Sequence, residues 1–505
     1  MAVPTQAEPE PPAAAAPERD RTYTVARIVF RWMFIGVLTV FAFWDSFASL
    51  VETTRGSGLN GYIWIIPTAA ILAAQGVARR PRNELPIHDR QTDIILGTMG
   101  LVFALLLHGV LLQRYGMYFH LLRLDFLALW VFVLSSAIIL FGLRPVSRFV
   151  LVWMLAGMIF ALPYHIMVIL LGGNRIAAGA ATLLIAATAT GIAVSRTHRR
   201  GWTGYFSAYA VGGVLLAIMA WWTPQAPVWV YQAAPALLAT AIVGFVMFLL
   251  ARRGEPKRPM NRKVEPLAAG QVARSLPLVL GVAVLLSLVD LPAPQSPPVR
   301  QFDAMPITGP LKPPAGFHIA ETEDYPWVTR LHGRVAHLTR QRMVADVGNP
   351  DWDKEAKPRT VMVDNVMTDR PFSFNVYPAK VLYDAAATRL SAPRRIDLGY
   401  GVTGELVSVV DDHLMVTWNM LQFTWRNDDR AQRVLMITVD NHDDNAPFPH
   451  PNGALLPTLN TLLTVLFRGN SAVDDTNPKF KDIDLLTTFG RGLVAAQLQP
   501  LGLRP

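Results

Sequence analysis

Between Leu124 and Leu171 the chain carries two apolar runs, 124–142 and 149–171, separated only by the tight basic turn Gly142-Leu143-Arg144-Pro145-Val146-Ser147-Arg148. Each run is about as long as a helix needs to cross roughly 30 Å of hydrocarbon. A connection that short joins antiparallel helices and leaves no room for a domain, so the pair predicts a membrane hairpin. Arg123 and Asp125 open the first run, while Pro163 and His165 come late in the second. Both open ends of the hairpin therefore reach the same membrane face. Ionisable groups at that depth are costly, which makes a functional site the default expectation.

The rest of the chain extends this hairpin. Of 505 residues, 52% are hydrophobic and only 16% charged, where a soluble domain carries about 25% charge. The long apolar runs stop at Leu291 and predict nine spans: 29–51, 61–78, 94–112, 124–142, 149–171, 176–194, 205–222, 228–250 and 275–291. One set of intervening loops holds sixteen Lys and Arg, including Arg79, Arg80, Arg144, Arg148, Arg199 and Arg200; the opposite set holds only Arg55, Arg114, Arg123 and Arg175. Basic loops stay cytoplasmic, so this asymmetry predicts an N-terminus inside and residues 292–505 outside. It also makes the net charge of +9 a topology signal and argues against nucleic acid as a partner.

The predicted fold class is a membrane all-α, polytopic bundle of about nine transmembrane helices followed by an extracytoplasmic α+β domain. Residues 1–24, rich in Pro, Ala and Glu and without the basic start and apolar centre of a secretion signal, predict a disordered cytoplasmic tail. Residues 25–291 form the membrane domain. The run Pro292-Ala293-Pro294-Gln295-Ser296-Pro297-Pro298 opens a stiff linker, 292–310, since proline cannot continue a helix. In the exterior domain, 311–505, strand character marks Val361–Val366, Phe372–Leu382 and Arg433–Val439. Gly404–Val410 and Leu414–Trp425 flank Asp411-Asp412-His413 as a hairpin. Leu455–Phe467 and Asp482–Leu498 read as helices, the second with acidic residues at its start. No fixed-period repeat is present.

With this topology the ionisable groups near span ends fall on the outer face: Asp45, Glu52, His108, His120, Arg123, Asp125, His165 and Arg175. Asp45, Glu52, His120, Arg123, Asp125, His165 and Arg175 are taken as the candidate lining of an outer-face cavity, against the alternative that loop ends are polar everywhere and arginine snorkels to the headgroups. No catalytic role is assigned to them. The acidic run Asp440-Asn441-His442-Asp443-Asp444-Asn445, with His450 beyond, lacks the central Gly and late Glu of a calcium loop and reads as a solvated turn. No metal and no cofactor is expected. Trp418, Phe423 and Trp425 read as sheet core, and Gly172-Gly173 and Gly212-Gly213 as sites of close helix packing. No Walker motif, dinucleotide fingerprint, HExxH or GxSxG occurs.

Across roughly residues 60–170 the order of pieces resembles the exosortase/archaeosortase family of membrane transpeptidases. The matching pieces are Gly61-Tyr62-Ile63-Trp64-Ile65-Ile66-Pro67, the basic turn Arg79–Arg82, the run RLDFLALWVFVLSSAIILFGLR, and the run ending Phe160-Ala161-Leu162-Pro163. The resemblance implies a polytopic envelope protein. Some members carry an exterior domain associated with exopolysaccharide production, and the C-terminal region is similar to that arrangement. The family's chemistry uses a cysteine nucleophile assisted by an arginine and a histidine on the outer face. This sequence contains no cysteine. Ala189-Thr190-Gly191-Ile192 is only faintly similar to the nucleophile segment and falls near the inner face, and Asn174-Arg175-Ile176 is similar to the arginine motif but comes too early. Cysteine-dependent transpeptidation is therefore excluded.

The resulting expectation is a multi-pass protein of the bacterial inner (plasma) membrane, exosortase-like in scaffold without the nucleophile. It would act in surface polysaccharide or surface-protein export, assembly or anchoring. Its partners would be the lipid bilayer and either envelope proteins or a lipid-linked glycan. Two alternatives stay open. A polyprenyl-phosphate-sugar-dependent glycosyltransferase would use an acidic general base in the first exterior loop, where Asp45 and Glu52 lie. A transporter would show related halves with interrupted helices, and no internal repeat is evident.

Overall fold

A computed structural model describes residues 18–56, 58–80, 89–252, 273–292, 298–303, 305–383, 388–412, 414–443, 446–453 and 477–503. The expected tail before residue 18, the expected helix Leu455–Phe467, His413 and Asp444-Asn445 lie outside these residues.

The N-terminal region is helical. α1 (Glu18–Ala42) and α2 (Trp44–Arg55) meet at Phe43 with a bend of 71°. α3 (Leu59–Ala78), α4 (Arg90–Arg114) and α5 (Leu124–Phe141) follow, then α6 (Val150–Ile159) and α7 (Ala161–Leu170), bent by 74°. α8 (Arg175–Val194), α9 (His198–Trp222) and α10 (Val228–Arg252) pack on one another, and α11 (Leu276–Ser287) comes last. Six of these helices (α3, α4, α5, α8, α9 and α10) are long and apolar enough to cross a membrane, or eight spans if each bent pair is one. The expected ninth span is a helix of 12 residues, roughly 18 Å at about 1.5 Å per residue and too short to cross alone.

The expected continuous spans 29–51 and 149–171 are both broken. Phe160 is extended (φ −65°, ψ 119°). Pro163 then sits in the first turn of α7, where a missing N–H leaves no bond unmade. At the first break, Phe43 N–H still reaches Thr39 O and Phe47 N–H reaches Phe43 O. Trp44, Asp45 and Ser46 make no such backbone bond across the joint.

The C-terminal region is one mixed sheet. Its strands are β1 (Arg300–Gln301), β2 (Phe317–Tyr325), β3 (His337–Ala345), β4 (Thr360–Thr368), β5 (Arg389–Leu390), β6 (Arg394–Asp397), β7 (Thr403–Asp411), β8 (Val416–Arg426) and β9 (Ala431–Val439). The order is β2-β3-β4-β9-β8-β7-β5, with β1 parallel to β8 and β6 on β7. The expected hairpin is β7–β8, and the Arg433–Val439 run is the centre of β9. Phe372–Leu382 is not a strand. It forms two short helical turns, Ser373–Val376 and Ala379–Leu382, each led in by a proline (Pro371, Pro378) that cannot donate to a sheet ladder. Within the expected linker 292–310, Arg300 and Gln301 form β1, paired with Trp425 and Arg426, and Met305 and Ile307 are buried.

Side chains alternate across a strand, and here both faces are covered. Leu421, Phe423, Val434 and Met436 pack under α12 (Ile483–Leu498) through Leu485, Phe489 and Leu493. The opposite face carries Leu338, Met362, Trp418, Leu435 and Ile437. It shares one core with Leu112, Phe119, Leu121, Leu122, Leu162 and Ile169 of the helical region. Every residue of β9 is consequently buried. The Trp418, Phe423 and Trp425 set is sheet core, divided between these two faces. The two regions are fused through a hydrophobic core.

Candidate functional site

The site lies where the sheet meets the ends of the helices. The short turn Phe119–Leu122 ends at Arg123, whose backbone is left-handed (φ 48°, ψ 51°), a conformation costing a non-glycine residue about 1 kcal/mol or more. The side chain explains why it is held. Its guanidinium meets Asp125 bidentately, Nε to Oδ1 at 3.1 Å and Nη2 to Oδ2 at 2.8 Å. Nη2 also donates to Ser46 O at 3.1 Å, and the rings of Phe119 and Phe126 lie 4.8 and 4.7 Å from its carbon. Both charges are fully buried. The pair ties the break in α1–α2 to the start of α5.

A second polar chain crosses the domain boundary. Asn60 Nδ2 donates to His120 O at 3.0 Å, which assigns its Oδ1 as the acceptor facing His165 Nε2 at 3.0 Å. His165 is then protonated on Nε2, and its Nδ1 accepts from the Tyr377 hydroxyl at 3.2 Å. Asn60, His165 and Tyr377 are buried to about 1% exposure or less. Behind them Tyr62 and Tyr164 stack at 3.6 Å, and Gln232 Nε2 donates to Tyr164 Oη and Leu59 O. The Gly172-Gly173 pair also serves the junction. It forms a turn rather than a helix contact: Gly173 has φ +72°, and a Cβ there would lie 1.9 Å from Arg330 O of the sheet region. Gly212 does mark close helix packing, against Leu183 and Ala239.

Between these ties a cavity of about 720 Å³ opens. Phe119, Met117 and Phe372 supply apolar wall, with Phe372 packed edge-on against His120 at 4.9 Å. Its charged lining is Arg55, Lys380, Arg426 and Arg433 against Glu52 and Glu405, a net excess of positive charge. Burial pulls the Lys380 ammonium down to about 8, and its Nζ donates to Thr388 O at 3.3 Å. Burial raises the Glu405 carboxyl, opposed by a hydrogen bond from Gln422 and by Arg395. His120, between spans, is pushed down to about 3 by burial and by the Arg123 charge, so it is neutral at physiological pH. Arg433 donates to Phe374 O and Tyr377 O, holding the 372–383 turns against β9.

The seven residues picked from sequence thus separate. Glu52 and His120 line this cavity. Arg123, Asp125 and His165 are buried in the ties behind it. Asp45 is exposed and lines a different, smaller cavity. Arg175 is elsewhere, clamping the loop after α9 through Pro224 O and Ala226 O. Sequence reasoning missed Asn60, Tyr377, Lys380, Glu405 and Arg433. Arg433, a charge directly before Val434-Leu435-Met436-Ile437, was the one legible anomaly among them. The acidic run is tied down by its neighbours: Asp440 pairs with Lys481 at 3.5 Å and His442 with Asp353 at 2.6 Å. Among the described residues no three His, Cys, Asp or Glu side chains cluster as metal ligands.

No protein-family model, curated protein or solved structure matches the chain.

Proposed function

We propose that this chain is a multi-pass protein of the bacterial plasma membrane that holds the polar end of an anionic, lipid-linked ligand in the cavity between its helices and its exterior sheet. It acts in surface polysaccharide or surface-protein export, assembly or anchoring, by binding rather than bond-making. The observation that carries this reading is the cavity of about 720 Å³ itself, with aromatic and aliphatic wall beside an excess of cationic side chains. Apolar wall suits a hydrocarbon chain, and a partly desolvated ammonium suits a phosphate. The basic loops at the far end of the helices support placing that end in the cytoplasm and the sheet outside. Exposed Trp221 and Trp222 at the sheet-facing end of α9 suit an interfacial position. Its scaffold is exosortase-like without the nucleophile.

The test is mass spectrometry of the purified full chain after incubation with undecaprenyl phosphate. We expect retention of that lipid over a neutral lipid of equal chain length. Lys380→Gln should lower it about tenfold, the size of one lost charge-assisted hydrogen bond. Equal retention of charged and neutral lipid, or an unaffected Lys380→Gln protein, would overturn the proposal.

A further inference from the structure

A second cavity, of about 340 Å³, sits at the break between α1 and α2 and shares Leu291 as a wall with the first. Four features converge on it. Because the backbone ladder is interrupted, the carbonyls of Val40, Phe41 and Ala42 receive no bond from Trp44, Asp45 and Ser46, and Phe41 and Ala42 line the cavity. The Asp45 carboxylate lines it as well. His108 lies in a π-helical turn, Leu107–Leu111, a local widening often found at functional positions. Finally, His108 Nδ1 and Ser46 Oγ have no hydrogen-bond partner although the two residues are 2% and 1% exposed. A buried polar atom left unpaired costs about 1–3 kcal/mol, and both of these belong to residues that line one cavity, which points to a ligand.

The lining determines the ligand's charge. It holds one carboxylate and no lysine or arginine, with His108 as its other titratable group. The walls offer acceptors (carboxylate, carbonyls, hydroxyl, an imidazole nitrogen) and the aromatic rings of Phe41, Phe43 and Trp44. A cation fits this better than an anion. Cation–π attraction adds about 0.5–2 kcal/mol where rings surround it. A bare metal ion fits poorly, because no three ligating side chains gather here among the described residues, and the space is far larger than one ion. Phe41, Trp44 and Leu288, exposed and apolar, stand near the joint and the end of α11, as a lipid-facing approach requires.

We propose that this cavity binds a primary ammonium group, presented by an aminophospholipid headgroup or by a free amine. The three N–H donors of the ammonium would be met by Asp45, Ser46 Oγ and a freed carbonyl, with His108 Nδ1 as a further acceptor. The site is separate from the one in the proposed function, and its charge preference is opposite.

The test uses the full chain, stripped of lipid in detergent. Native mass spectrometry compares retention of phosphatidylethanolamine and phosphatidylglycerol of identical acyl chains, and equilibrium dialysis measures uptake of labelled ethanolamine. Preference for the amine lipid of about tenfold, abolished in Asp45→Asn, would assign a lipid headgroup. Uptake of ethanolamine without lipid preference, again lost in Asp45→Asn, would assign a free amine. Asp45 is exposed, so its substitution leaves the fold intact; Ser46→Ala provides a second variant and should lower retention about threefold. Equal retention of both lipids with no ethanolamine uptake would overturn the proposal, as would binding unchanged in both variants.

Discussion

The two ends of the helical region handle their polar groups in opposite ways. At the end away from the sheet, arginines donate to carbonyls at or near the C-terminal ends of helices, where the intrahelical ladder runs out. Arg31 donates to Leu140 O, Arg90 to Ile139 O, Arg80 to Ile192 O, Arg148 to Val77 O and Arg200 to Met247 O. Cations there also meet the negative end of each helix dipole. Basic side chains at this end thus serve to close helix ends locally. At the sheet-facing end, polar groups are paired across elements or across the domain boundary, and two cavities open among them. Charge at one end is spent on local closure; at the other it is arranged around space. That contrast is the reason for placing the functional surface under the sheet.

The contrast can be broken, and the expected effects fall in a clear order. Asp125→Asn leaves the Arg123 charge buried without its partner, a loss of about 3–5 kcal/mol; thermal unfolding in detergent should show it, and a drop under 1 kcal/mol would remove Arg123–Asp125 from the framework. Gly173→Val forces a side chain against Arg330 O at a left-handed backbone position, with a cost of roughly 2 kcal/mol or more. Hydrogen exchange should then rise in residues 372–383 while α8–α10 stay protected.

Lys380 comes next. Its folded value of about 8 lies below the usual 10.5, so it is charged below about 8 and neutral above. Retention of undecaprenyl phosphate should fall as pH rises through that value, and Lys380→Gln should flatten the profile. The unfolded chain binds more protons than the folded one across this window, so stability itself should rise with pH there. A fall in stability over the same window would contradict the burial of Lys380. Tyr377→Phe removes the donor to His165 at about 1 kcal/mol, read as a small increase in proteolysis between the regions. Arg148→Gln, at the opposite end, should cost only about 0.3–1 kcal/mol and leave ligand retention unchanged. A binding defect there would erase the distinction between the ends.

Much of the helical region was legible because lipid solvent demands long apolar runs, and those show in one dimension. The breaks at Phe43 and Phe160 were not, since hydropathy counts residues and is blind to a missing backbone bond. The strands β7, β8 and β9 showed their β-rich runs, whereas β2 (FHIAETEDY) is largely exposed along its length, so it has no apolar alternation to detect. Phe372–Leu382 misled because its apolar residues fill the seam between regions rather than one face of a sheet.

The sequence alone determined that the first 291 residues carry the long apolar runs, that the remainder mixes strands and helices, and that cysteine chemistry is absent. Those follow from composition and period, which need no partner. Only the tertiary structure decided that Asn60, His120, His165 and Tyr377 form one hydrogen-bonded chain, that Asp45 and Glu52 face different cavities, and that Lys380 lines the larger one. Such facts depend on residues hundreds of positions apart meeting in a shared core, and no local pattern encodes a distance that only packing sets.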